Sequence, residues 1–130
     1  MLLDGPLGWA RNQGLFVYLD AHWDDNLPLA EELAIVFAVC RNAIVMVDDF
    51  QVPFDGGYGY DDYGTGKSLI ADYIYPVVAA HSLGVFYPST PSVQETGAQR
   101  GCVVICSSAT DRLLYSLSLL RPATERLKPM

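Results

Sequence analysis

The chain has 130 residues, 51% of them hydrophobic, which fits a single compact domain with a buried core and no second one. Eight Lys and Arg against fifteen Asp and Glu give a formal net charge of −7, a balance that repels phosphate and argues against nucleic acid or an anionic membrane as a partner. Three cysteines, Cys40, Cys102 and Cys106, lack CxxC spacing, so neither a disulfide framework nor a zinc site is indicated and a reducing cytoplasm fits best.

The opening "MLLDGPLGWARNQG" lacks the basic start and long apolar run of a signal peptide. Leu15 to Leu19, "LFVYL", is a short apolar run that reads as a buried strand delivering Asp20 at its carboxyl end. Asn26 is a candidate helix cap, Pro28 suits the first turn, Glu31 and Glu32 favour the positive pole of the dipole, and the apolar pattern continues to Cys40. This helix is apolar on most of its circumference near its end, so it is expected to be well covered. Its apolar end, Leu33 to Cys40, is also the longest such stretch in the chain and too short to span a bilayer. A soluble protein is expected.

Ala43 to Val47, "AIVMV", is a second strand and ends at Asp48 and Asp49. Strand, helix, strand makes a βαβ unit with parallel strands, so both acidic ends face one edge of the sheet. Phe50 to Gly66, rich in Gly, Tyr and Asp, is a long loop of the kind that often carries function. A helix over Lys67 to Ser82, kinked at Pro76, a strand at "GVFY", a connection with two prolines and a strand at "GCVVICS" follow. The tail "ATDRLLYSLSLL" is amphipathic and predicts a helix that ends before Pro122.

"GTGKS" looks like the end of a phosphate-binding loop, with Gly66, Lys67 and Ser68 in register, but the leading glycine position holds Asp61. Asp61 and Asp62 would also set negative charge beside the phosphates. A glycine hinge before a helix is the better reading. The stronger constellation is acidic: eight aspartates, Asp20, Asp24, Asp25, Asp48, Asp49, Asp55, Asp61 and Asp62, lie between positions 20 and 62, nearly all at or just beyond the carboxyl ends of the first two strands, where open α/β sheets bind ligands. Neighbouring strands run about 4.8 Å apart, so Asp20 with Asp48 or Asp49 is a candidate site for Mg or Ca; the alternative is that solvated aspartates merely end strands and cap helices. His22 is a candidate general base, against a purely structural histidine. Trp23, Tyr58, Tyr60 and Asp62 are candidate contacts for a small planar ligand, the aromatic ones equally suited to packing the loop onto the sheet.

"FVYLDAHW", "PLAEEL", "MVDDFQVP", "GYGYDDYG" and "ETGAQRG", in that order and spacing, resemble the carboxyl-terminal half of bacterial class I S-adenosylmethionine-dependent methyltransferases. The resemblance runs from about Leu15 to Leu120 and implies a truncated Rossmann-like α/β half-domain of about four strands, three parallel and the last antiparallel. It equates these strands with the family's fourth, fifth, sixth and seventh, the seventh inserting between the fifth and sixth. In metal-dependent relatives the carboxylates come from the ends of the fourth and fifth strands, here Asp20, Asp48 and Asp49. The family's S-adenosylmethionine site is built chiefly from the first three strands, for which there is no room before Leu15. A homodimer through the exposed first strand or its flanking helices is therefore expected. The functions implied are metal-assisted O-methyl transfer, when a dimer or partner completes the fold, or a non-catalytic interaction module of the same fold.

Overall fold

A computed structural model describes residues 14–19, 28–108 and 110–123. Its sheet contains β1 (Leu15–Leu19), β2 (Ala43–Asp48), β3 (Leu83–Pro88), β4 (Cys102–Ser107) and β5 (Leu120–Pro122), in the order β1-β2-β4-β3-β5. β1 and β2 pair in parallel, with Val17 opposite Val45. β4 enters antiparallel between β2 and β3, placing Ile105 opposite Val45 on one side and Val85 on the other. β5 adds antiparallel to the far edge of β3. The chain is thus mixed α/β, with one more strand than expected, and β1 with β2 forms the parallel pair.

Both helices of the β1–β2 and β2–β3 connections lie on one face. α1 (Leu29–Val39) buries Leu29, Leu33 and Phe37, spaced by four residues so that they stack on one stripe. The expected cover of its apolar end is incomplete, since Ile35 is 51% exposed. α1 starts after Pro28, and the proposed cap Asn26 lies outside the described residues. α2 (Ala71–His81) buries Ile74, Val77 and Val78 and keeps Pro76 inside the helix. It begins four residues after Lys67, because Tyr63 to Lys67 are held in a turn of their own, and it ends at Ser82 in the left-handed region, φ 54°.

Alternation along the strands sorts the two faces. Ala43, Val45 and Val47 of β2, Val103 and Ile105 of β4, and Val85 and Tyr87 of β3 join the helices in the main core. On the opposite face the buried group is Phe86, Val104, Cys106 and Leu114, under the short helix α3 (Asp111–Tyr115). β1 therefore is not buried on both sides: Leu15, Val17 and Leu19 pack on the main core, while Phe16 and Tyr18 are 64% and 50% exposed.

The tail differs from the single long helix that its pattern predicts. α3 stops at Tyr115, and Leu120 to Pro122 run as an edge strand, with Ala123 donating its amide to the Val85 carbonyl at 2.9 Å. Tertiary pairing with β3 outcompetes a weak local preference, and an edge position tolerates Pro122, which has no amide to donate. No helix of the described residues is long and apolar enough to cross a membrane.

Candidate functional site

The carboxyl ends of β1 and β2 are joined by a side-chain contact. The Tyr18 hydroxyl donates to Asp48 at 2.7 Å, and the Asp49 amide donates to the other oxygen of the same carboxylate at 3.0 Å. Asp49 then turns the chain with φ 56°, a conformation that Asp tolerates better than most residues. Parallel register brings Tyr18 beside Met46, so Asp48 is within its reach on the same face of the sheet.

Beyond β2, two loops close over this edge. Asp61 donates its amide to the Asp49 carbonyl at 2.9 Å, and Leu69 returns to the Asp61 carbonyl at 3.0 Å. Gly59 pairs with the segment leading into β4, taking its bond from Gly101 at 2.8 Å and giving one to Gln99 at 2.8 Å. At Gly101 a Cβ would stand 2.1 Å from the Phe50 carbonyl oxygen, so the two backbones meet only because this residue has no side chain.

Between the loops sits Arg100. Its Nε donates to Asp49 Oδ1 at 2.7 Å, and its Nη2 donates to Asp61. Asp61 also accepts from the Tyr63 hydroxyl at 2.9 Å. The Arg100 side chain is 39% exposed, so solvent screens these pairs and they contribute on the order of 1 kcal/mol or less; their effect is to fix geometry. A second node lies at Asp55, which accepts from the Ser92 amide at 2.8 Å, the Ser92 hydroxyl at 2.7 Å and the Gly57 amide at 3.0 Å. Those bonds, the Ser92 hydroxyl first, hold the Asp55 carboxyl below its ordinary range.

The candidate ligand contacts divide accordingly. Tyr58 is buried and donates its hydroxyl to the Thr90 carbonyl at 2.6 Å, so it packs the loop down, and burial raises its phenol above the ordinary value. Asp62 accepts from the Ser68 hydroxyl at 2.7 Å and the Gly64 amide at 3.0 Å, bonds that lower its pKa and shape a small hairpin. Tyr60 is half-buried between Gly59 and Asp61, both held by backbone bonds. Asp20, His22 and Trp23 lie outside the described residues.

The hairpin also settles the phosphate-loop question. Tyr63 donates its amide to the Lys67 carbonyl and Lys67 donates its own to the Gly64 carbonyl, closing a turn that holds Gly64 and Gly66 at φ 121° and 75°, and the Ser68 hydroxyl is given to Asp62. The segment is an acid-braced turn set apart from the start of α2, with no amide cradle feeding a helix.

A divalent cation needs carboxylate oxygens free to converge on it. Asp49 faces a guanidinium instead, both Asp48 oxygens accept hydrogen bonds, and no group of three potential metal ligands occurs among the described residues. The third carboxylate of the expected cation site, Asp20, lies outside the described residues, so these contacts concern Asp48 and Asp49 alone. The residues that organise this edge and escaped the sequence reading are Tyr18, Ser92 and Arg100; Asp55 belongs to the acidic cluster, but its bracing role with Ser92 is not legible there. Arg100 had one available signal, as a lone cation in the connection facing an acidic mouth.

Comparison with known protein families, curated proteins and solved structures finds no match to this chain. Its reading rests on its own residues.

Proposed function

We propose that the chain is the carboxyl-terminal half of a class I methyltransferase-like fold, and that the edge closed by Arg100 is the acceptor side of that fold. Strand order carries the reading. β1, β2 and β3 run in one direction and β4 inserts against them between β2 and β3, which is the arrangement that the resemblance implies for the family's fourth, fifth, sixth and seventh strands. The strands that would hold S-adenosylmethionine are not among Leu15 to Pro122, so methyl transfer to a small hydroxylated acceptor requires them from another polypeptide segment. His22, as general base, belongs to the same reading.

A second reading, a non-catalytic interaction module, is favoured by one observation: the residues at the mouth are spent on one another. Asp49, Asp55, Asp61 and Asp62 each accept from a protein donor, which suits a braced scaffold better than a site waiting for substrate. Native mass spectrometry of the purified chain with added S-adenosylmethionine separates the readings. Cofactor retained only after a second polypeptide supplies the missing strands supports the enzyme half. A self-assembled species without cofactor supports the module, and cofactor held by a lone chain overturns both.

A further inference from the structure

At the end of the sheet opposite the acidic mouth lies a cleft of about 340 Å³, lined by Phe37, Arg41, His81, Leu83, Ser107 and Ser108. Four elements meet there: α1 ends just before Arg41, α2 ends at His81, β3 starts at Leu83 and β4 ends at Ser107. The Ser107 hydroxyl donates to the Arg41 carbonyl, which ties β4 to the turn before β2 through backbone and leaves the guanidinium outside that bond. Neither Arg41 nor His81 has an ion-pair partner among the described residues, and no carboxylate is among those that line the cleft. A basic residue in the last turn of a helix, as His81 is in α2, offsets the dipole by itself. Here an arginine and an exposed serine hydroxyl, Ser108, bring further donors to the same space.

The net charge of −7 does not reach this end evenly. Asp48 closes β2, Asp49 and Asp61 follow at the mouth, and the strand separates them from the cleft by roughly 16 Å, about two screening lengths at physiological salt. A local cluster of donors therefore meets an anion largely free of that repulsion.

We propose that this cleft binds a phosphate group carried by a small hydroxylated molecule. The Arg41 guanidinium supplies paired N–H donors that match two phosphate oxygens, His81 donates a ring N–H whether neutral or charged, and Ser108 adds a hydroxyl. The organic part has its own space, because Leu83 and Ser108 also line an adjoining cleft of about 410 Å³ with Ser82, Asp111 and Tyr115. Asp111 repels a second anionic group there and accepts from a hydroxyl, which selects a neutral, hydroxylated substituent. Each cleft lies within the roughly 300–1,000 Å³ of small-molecule sites. The site goes beyond the methyltransferase reading and does not depend on it, since it uses none of the residues at the acidic mouth.

NMR titration of the full chain tests it, with glycerol phosphate, inorganic phosphate and glycerol as probes at matched ionic strength. Glycerol phosphate is expected to give saturable shifts of the His81 ring and Ser108 amide signals, inorganic phosphate the same shifts at higher concentration, and glycerol none. Arg41→Gln, at an exposed position, and His81→Ala, at a half-buried one that favours helix, are expected to keep the native circular dichroism and to weaken binding about tenfold. Arg121→Gln is the control and leaves affinity unchanged, because that guanidinium stacks on the Phe54 ring at 3.8 Å and does not line the cleft. Equal affinity for inorganic phosphate assigns the site to the free ion and overturns the proposed ligand. Shifts that do not saturate, undiminished binding by Arg41→Gln, or an equal loss in Arg121→Gln overturn the site itself.

Discussion

Two tyrosines on the same side of the molecule meet opposite fates, and the difference lies in one hydrogen bond each. Tyr58 gives its hydroxyl to Thr90, whereas the hydroxyl of Tyr87, 2% exposed, is buried without a partner. Removing the first leaves a carbonyl unpaired; removing the second relieves an unmet desolvation cost. Urea denaturation should therefore show Tyr58→Phe less stable by about 1 kcal/mol and Tyr87→Phe unchanged or more stable by up to about 1 kcal/mol. Gly101→Ala drives a Cβ into the Phe50 carbonyl and should cost about 1–3 kcal/mol in the same experiment, against little effect at Gly97, where a Cβ meets nothing within 4 Å. For Asp55, whose folded-state pKa is lowered, the stabilising bonds to Ser92 are present above the unfolded pKa and are lost as pH falls through the folded one. The Ser92 amide proton, followed by NMR, should move only at pH below the usual aspartate range.

At the scale of elements, α2 tolerates a proline that local rules oppose. Pro76 cannot donate to the Asp72 carbonyl, and its ring crowds that turn. Because Pro76 is exposed while Val77 and Val78 are buried, packing of the helix holds the turn against its own preference. Pro76→Ala should raise stability by about 1–3 kcal/mol, seen as a higher thermal midpoint with unchanged helix position. Burial pushes the Cys102 and Cys106 thiols up to about 11, so labelling of these two in the folded chain by alkylating reagents at neutral pH should be slow.

Across the whole molecule, coverage of the sheet is unequal. One face carries α1, α2 and the larger core; the other carries a five-residue helix and a small buried group. Parallel strands are usually covered on both faces, and β1 with β2 departs from this on the side of Phe16 and Ile44. Hydrogen exchange should grade with that architecture: slowest in β2 and β4, which are paired on both sides, and at least tenfold faster in β1 and β5, each paired on one side among the described residues.

Periodicity alone located β1 through β4 and both crossover helices within a few residues, because continuous branched apolar runs and a helical stripe ended by Gly, Asn or Pro leave little choice of local structure. The tail was misjudged because "DRLLYSLSLL" satisfies a helical pattern, and only the vacant edge of β3 turns its end into a strand. The acidic mouth was legible as a cluster of charge, but its chemistry was not. Asp49 and Asp61 meet Arg100 across 51 and 39 residues of chain, a pairing set by where β4 inserts in the sheet. Local order follows from neighbouring residues in the sequence; which charges neutralise which follows from packing of distant segments, and tertiary structure alone decided it.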